Sequence, residues 1–589
     1  MLNQRSTPIK LSQEAALKLP RWALLLLLAV FALSGLFADD LWTPRDIDSF
    51  GAAFTLVSQP FSAWLLPAAH GEVLAETGPL TSWLSAGLMR LLGSHGWGVI
   101  DNVIALRLAS LFWFTLSATA LWYSTFRLAI RPEAQPIAFA FGGEARPKDF
   151  ARSIADCAVL LFVATFGILT RQHEAVPDTA LIAISAANLF SLTYALKRPF
   201  AGSLLAGLSV ALCVLASTLF AGVWLLAQSL IVLSTLTSQP RTRDMALMMV
   251  IGVSAGVFAL WPLAAYLMDG PAMLRWFSAW SITQMDHFGP AGLSTYVWFA
   301  KHSLWFLLPL WPLVLTGLCR WGRRLVQPFL FLPAIVIAVT SLGVVFSSRQ
   351  SADSVFLSCL PALTVFAAFS LLTIKRGWEN TLDWFGLTIF SLATLTIWLY
   401  WFAWNTGVPP KMYQSVVHLA PTVRPVLDRG FVLAFMASII WLTILAWRLT
   451  HRPVLIWRGP WINALGMTVV TAVGFGLFHL PTTEYRSMAP VAHSLDKLIV
   501  QAGWQSDQCV QAVRINPETI AVLQYYGGGP LDSLTRKGTC PIVVVRASSS
   551  APVSLPNYAP AAGRARSGEL FYVLDQKTWA STGVNFVKK

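Results

Sequence analysis

Apolar runs of about 20 residues, the length a helix needs to cross a bilayer, recur along this chain with polar segments between them. They predict spans at 22–37, 103–125, 155–170, 179–195, 202–218, 220–236, 245–267, 303–319, 329–346, 355–373, 384–404, 431–448 and 463–480, thirteen in all. Only the run 202–236 admits two readings, one long tilted helix or two short ones. A basic tail over 1–21 precedes the first span. After Leu480 the sequence Pro481-Thr482-Thr483-Glu484 marks a boundary, followed by AHSLDKLIVQAG with helical spacing. Ile520–Tyr526, Ile542–Val545 and Leu570–Leu574 read as strands between Gly, Pro and Ser. The expected architecture is a polytopic α-helical membrane body over 22–480 and a small α/β domain over 484–589.

Lys and Arg concentrate in alternate loops. The N-terminus carries Arg5, Lys10, Lys18 and Arg21, and the next such loop Arg127, Arg131, Arg146, Lys148 and Arg152. Lys197 and Arg198, then Arg241 and Arg243, then Arg320, Arg323 and Arg324 continue the series, which ends with Lys375 and Arg376, and with Arg448, Arg452 and Arg458. Basic short loops stay in the cytoplasm, so the N-terminus is expected inside and the C-terminal domain outside. That parity fails if 202–236 is one span, which favours two. The first span has no small-residue cleavage site before Asp39-Asp40 and reads as retained.

Composition agrees: 56% hydrophobic against 12% charged residues leaves too little polar surface for a soluble globule. The net charge of +14 is scattered over short loops rather than gathered on a folded surface, which argues against a nucleic-acid partner. Cys157, Cys213, Cys319 and Cys359 lie in or beside spans, where thiols pack as small apolar groups. Cys509 and Cys540 lie in the segment placed outside, where a disulfide between them is expected, two free thiols being the alternative.

Ionisable residues are nearly absent from the spans; Arg107 sits a few residues into one. The polar chemistry collects in the outer loops 38–101, 170–178, 268–302, 347–354 and 405–430. The first holds Asp46 and Asp48 beside Arg45, and later Glu76 before Gly78-Pro79. A carboxylate there can act as a general base or orient a cationic sugar or a metal, where the plainer reading is a solvated loop charge. Asp178 closes the segment Arg171-Gln172-His173-Glu174-Ala175-Val176-Pro177-Asp178, and it can equally cap the helix beginning there.

The order Asp46 to Phe50, Trp64, Pro67, Gly71, Glu76-Thr77-Gly78-Pro79-Leu80 and Trp83 resembles the first periplasmic loop of the GT-C membrane glycosyltransferases. The relatives meant are the lipid A aminoarabinose transferases and the protein O-mannosyltransferases. The resemblance covers about 20–480 in topology and about 60 residues in motif. It implies a bacterial inner-membrane enzyme that transfers one sugar, with inversion, from a polyprenyl (undecaprenyl) phosphate donor to lipid A or another envelope glycolipid, or alternatively to a protein. Asp46 is preferred over Asp48 as the match to the family's catalytic Asp, because it puts Phe50 at the aromatic position, and Asp178 matches a second acid.

Arg45, Phe50, Glu76, Arg171 and His173 are implied to line the substrate site. In FSSRQSADSVFLSCLPALTVFAAF, Arg349 is the candidate grip on the lipid phosphate, since a guanidinium bonds phosphate oxygens in pairs. In RWFSAWSITQMDHFGPAGLSTYVWF the polar groups are Arg275, Asp286 and His287, so His287 with Glu76 is the candidate pair for a divalent metal, no other cofactor being implied. The expected state is a monomer. Two departures stand out: Thr77 replaces a family Lys, and Ile47 replaces the second acid of an Asp-Glu pair. A transporter competes with the enzyme reading but calls for intramembrane charge that is scarce here; an inactive scaffold competes through the departures.

Overall fold

The computed structural model describes residues 9–581 apart from 35, 37–39, 95–97, 174–175, 350, 375, 452–454, 537, 549–560 and 565–568. Arg5, Asp39, Glu174, Lys375 and Arg452 therefore lie outside the described residues. Among the described residues, ten helices are long and apolar enough to cross a membrane, or twelve if each of two bent pairs is one span. The predicted span at 22–37 is a shorter apolar helix, Arg21–Leu33.

The run 202–236 is two helices, Pro199–Ala216 and Leu219–Leu236. Thr218 turns extended between them, and its hydroxyl accepts the Ala221 N–H at 3.2 Å, an N-cap that restarts the helix. Two other predicted spans are broken. Pro147–Val163 and Phe166–His173 meet at 64°, and Leu293–Phe306 and Leu310–Val326 at 95°. The breaks touch: the Phe166 N–H donates to the Leu308 carbonyl at 2.9 Å. An interrupted helix within a membrane needs such a partner for its freed backbone groups.

Four helices matter most for the site, and we label them α1 (Pro44–Val57), α2 (Val176–Ala195), α3 (Ala352–Leu371) and α4 (Pro517–Tyr526). The helix of the last predicted span, Arg458–Arg486, runs on through Pro481. Beyond it lies the helix Ala489–Gln501 and a five-stranded sheet: β1 (Val510–Val513), β2 (Leu534–Thr535), β3 (Ile542–Ser548), β4 (Ala561–Arg564) and β5 (Glu569–Asp575). The order is β2-β1-β3-β5-β4, with β1 parallel to β2 and β3, and β5 antiparallel to its neighbours. Cys509, just before β1, and Cys540, just before β3, form a disulfide.

One strand expectation fails. Ile520–Tyr526 is the helix α4, because Asn516-Pro517-Glu518 is a helix start with Pro at the first position and an acid in the first turn, and Gly527 ends it. The strand beside it is Val510–Val513, whose four residues are too few to stand out by alternation.

The two ends of the bundle differ. At one end the basic N-terminal segment is docked rather than loose: Lys18 pairs with Asp149 at 3.1 Å, Arg21 with Asp156 at 3.4 Å, and the Trp457 indole donates to the Leu17 carbonyl at 2.8 Å. Arg458 pairs with Asp383 at 2.7 Å at this end. The opposite end carries α1, the starts of α2 and α3, and the C-terminal domain.

Candidate active site

A cavity of about 340 Å³ opens where α1, the first turns of α2 and α3, and the Ser217-Thr218 turn converge under α4. Its wall includes Arg45, Asp48, Glu76, Thr77, Asp178, His287, Asp353 and Glu518. The local fold of 43–57 decides which of the two acids in the first motif faces it. Thr43 accepts the Asp46 N–H at 3.2 Å and Pro44 supplies a pre-set first turn, so the segment that reads as a loop starts a helix. At about 100° per residue, positions two apart point to nearly opposite sides. Arg45, Asp48, Ser49 and Ala52 thus share the cavity face, while Asp46, Ile47, Phe50 and Ala53 are buried.

Asp46, preferred on the sequence, is turned away from the cavity. It is fully buried and held by Arg107 through two bonds, Nη1 to Oδ1 at 2.9 Å and Nη2 to Oδ2 at 3.1 Å. Arg107 also donates to the Asp40 carbonyl at 3.2 Å. The intramembrane arginine is thereby explained as half of a buried ion pair. Phe50 also sits outside the cavity, packed between Phe54 and Tyr525 of α4 with ring centroids 5.5 and 4.8 Å away.

At the cavity wall Arg45, Asp178 and Asp353 form ion pairs, backed by a second arginine, Arg171. Arg45 donates to Asp178 at 2.5 Å and, through its other nitrogen, to Asp353. Arg171, behind it, reaches Asp178 at 2.7 Å and Asp353 at 3.0 Å. Burial works against the charge of Arg45, yet Asp178 and Asp353 hold it more firmly protonated than a free arginine. Asp353 was not singled out in the sequence, although it stands four residues after Arg349 in the first turn of α3, where a carboxylate suits the helix dipole. Arg349 itself is exposed and does not line the cavity. His173 points elsewhere: its ring nitrogens meet the Leu169 and Phe31 carbonyls at 2.7 and 2.8 Å, and its ring lies between Phe31 and Phe475.

The Glu76 loop is fixed by one buried side chain that the sequence did not single out. Gln284 donates to the Ala75 and Glu76 carbonyls at 3.0 and 3.2 Å and accepts the Leu219 N–H at 2.9 Å. The Gly78 N–H donates to the Ser217 carbonyl at 2.9 Å, and a Cβ on Gly78 would come within 2.2 Å of the Leu215 carbonyl oxygen, so only glycine fits. His287 reaches the Ser351 hydroxyl at 2.9 Å and the Glu76 backbone; burial lowers its pKa, against the opposing pull of Glu76.

Glu76 and His287 therefore share the cavity, as the metal expectation requires, but among the described residues no group of three or more His, Cys, Asp or Glu is arranged to hold an ion. Two donors alone do not make a dedicated metal centre.

Burial, then the negative charges of Glu518 and Glu76, push the Asp48 carboxyl up to about 7. Burial also raises Glu518, with Glu76 and Glu72 adding to it. Glu518 comes from the C-terminal domain, and its contribution was not legible because nothing local announces that α4 docks on α1.

No protein-family model matches the chain, and no curated protein matches it in sequence. Among solved structures it is similar to ArnT from Cupriavidus metallidurans in the apo state, with a TM-score of 0.62 at 14% identity over 95% of this chain and 98% of that one. The same enzyme bound to undecaprenyl phosphate aligns with a TM-score of 0.60 at 13% identity, over 94% and 97% of the two chains. The chain thus has the ArnT fold over 95% of its length, as the motif resemblance led one to expect.

Proposed function

We propose, from the fold shared with ArnT, that this chain is a glycosyltransferase that moves one sugar from a polyprenyl phosphate to an acceptor at the periplasmic face of the bacterial inner membrane. The observation that carries this reading is the cavity itself: a half-exposed guanidinium, Arg45, lines it together with Asp48, Glu76 and Glu518, for which no ion pair is found among the described residues. A sugar 1-phosphate presents complementary features, an anionic leaving group and a ring that gains positive charge as it leaves. The N-terminus lies in the cytoplasm, the C-terminal domain in the periplasm, and the protein acts as a monomer.

In this reading the bond between the sugar's C1 and the phosphate oxygen breaks, its electron pair goes to the phosphate, and an acceptor oxygen bonds C1 from the opposite face. Arg45 stabilises the departing phosphate. It can turn from Asp178 and Asp353 without leaving them bare, because Arg171 stays bound to both. Asp48, rather than Asp46, is the acid residue of the reaction. For a hydroxyl acceptor it takes the proton, and a carboxyl that titrates near 7 suits that work. For an acceptor already ionised, such as a phosphate of lipid A, it stabilises the charge developing on the sugar. An amino sugar such as aminoarabinose fits best, since Asp48, Glu76 and Glu518 face an ammonium group with acceptors. Lipid A or another envelope glycolipid is the acceptor we favour, ahead of a protein.

Binding of undecaprenyl phosphate to the purified full-length protein tests the phosphate role. Arg45→Gln is expected to weaken it about tenfold or more, the loss of a charge-assisted pair, and Arg349→Gln to leave it within about twofold. The reverse ranking would refute the assignment of Arg45.

A further inference from the structure

Five carboxylates line the cavity, and they fall into two groups. Asp178 and Asp353 are each held by two arginines. Among the described residues no ion pair or side-chain hydrogen bond is found for Asp48 or Glu76, and Glu518 bonds only its own backbone N–H. Asp48 and Glu518 are half-buried, while Glu76 is exposed; the oxygens of the two half-buried carboxylates, partly removed from bulk water without side-chain donors, are costly unless a ligand supplies them.

The third member of the unpartnered group is carried by another domain, and it is held in place tightly. Gly51 of α1 lies so close to α4 that a Cβ there would come within 2.2 Å of the Glu518 carbonyl oxygen. At the other end of α4, the Tyr525 hydroxyl is 2.7 Å from both carboxylate oxygens of Asp101, and the Tyr526 hydroxyl donates to Asp40. Near Glu518, Arg536 of the C-terminal domain pairs with Glu72 of the loop. Both ends of α4 are thus pinned to the loop that builds the cavity, and the first-turn position of Glu518 aims it there. Three of the four charged groups acting on Asp48, namely Glu518, Arg546 and Glu569, belong to the C-terminal domain; Glu76 is the fourth.

We propose that the C-terminal domain is a working wall of the cavity and that Glu518 is a specificity-determining residue, accepting hydrogen bonds from the hydroxyl or ammonium groups of the donor sugar beside Asp48 and Glu76. The domain then selects the sugar, while the membrane body binds the phosphate and its polyprenyl chain. This inference rests on the transferase reading above.

The two parts of the donor separate in the test. Binding of undecaprenyl phosphate, which has no sugar, is measured on the full-length protein, and transfer is measured with undecaprenyl phosphate bearing an amino sugar and with its N-acetylated counterpart. Glu518→Gln is expected to leave binding of the bare lipid phosphate within about twofold, to raise KM for the amino-sugar donor about tenfold, and to narrow the preference over the N-acetylated donor. Glu518→Asp should recover part of the loss. Gly51→Ala, which displaces α4 without touching a charge, should lose transfer in the same way while the Cys509–Cys540 disulfide stays formed. Unchanged kinetics and preference in Glu518→Gln, in an assay where wild type is active, overturn the inference alone. A wild-type protein that neither binds the lipid phosphate nor transfers sugar overturns the transferase reading and this inference with it.

Discussion

Replacing Asp48 by Asn is expected to lower transfer by about 10²- to 10⁴-fold, the range for removing a positioned acid–base group, without lowering the amount of protein in the membrane. The second half of this expectation follows from electrostatics. A native pKa of about 7 lies above the ordinary carboxylate value, so the folded protein binds this proton more tightly than the unfolded chain does. Ionising Asp48 therefore costs stability as pH rises from the unfolded value through 7, and above that the whole cost is present. Asn removes it. The thermal midpoint of Asp48→Asn should exceed that of wild type above about pH 7 and match it below about pH 3, where the carboxyl is protonated in both states. Transfer at wild-type rates, or a midpoint lowered at every pH, would contradict the role given to Asp48.

Asp46→Asn should fail for a different reason. Arg107 and Asp46 are 2% and 0% exposed, so removing the carboxylate leaves a guanidinium buried without its main counter-charge. Breaking a buried pair from one side costs about 3–5 kcal/mol, enough to lower membrane abundance sharply. Asp46→Leu combined with Arg107→Met removes both charges and should recover much of that loss, and the recovered protein should transfer sugar. Measuring abundance and transfer per folded molecule separates the two acids: Asp48→Asn gives abundant, inactive protein, and Asp46→Asn gives scarce protein whose folded fraction works. Abundant but inactive Asp46→Asn would return Asp46 to the chemistry.

That contrast also marks what the sequence could convey. The apolar runs and the alternation of basic loops made the membrane body legible, because lipid imposes a length and a charge rule on every crossing. The pairing of Cys509 with Cys540 was legible from compartment. The acid motif was legible as a motif but not as a geometry. Asp46 and Asp48 read as neighbours in a loop; once Thr43 and Pro44 start a helix they face opposite ways.

Relations across the chain left no local trace. Nothing around Arg171 announces that it shares Asp353 with Arg45, some 180 residues apart in sequence from that carboxylate. Gln284 gave no signal, since a buried glutamine that ties a loop to a helix start looks like any polar residue in an amphipathic stretch. Ile520–Tyr526 was misread because its β-branched and aromatic residues suit a strand, and the Asn-Pro-Glu start that decides for helix lies just outside the run.

Transfer of a sugar from this cavity to an envelope acceptor is checked by mass spectrometry of lipid A, other glycolipids and envelope proteins from a strain lacking the protein and from the same strain carrying it on a plasmid. One component lighter by a single sugar is expected in the deletion strain, with an amino sugar on a glycolipid as the favoured difference, restored by the wild-type chain. Identical lipid and protein glycan profiles in the two strains, under conditions where the protein is present in the membrane, would contradict it.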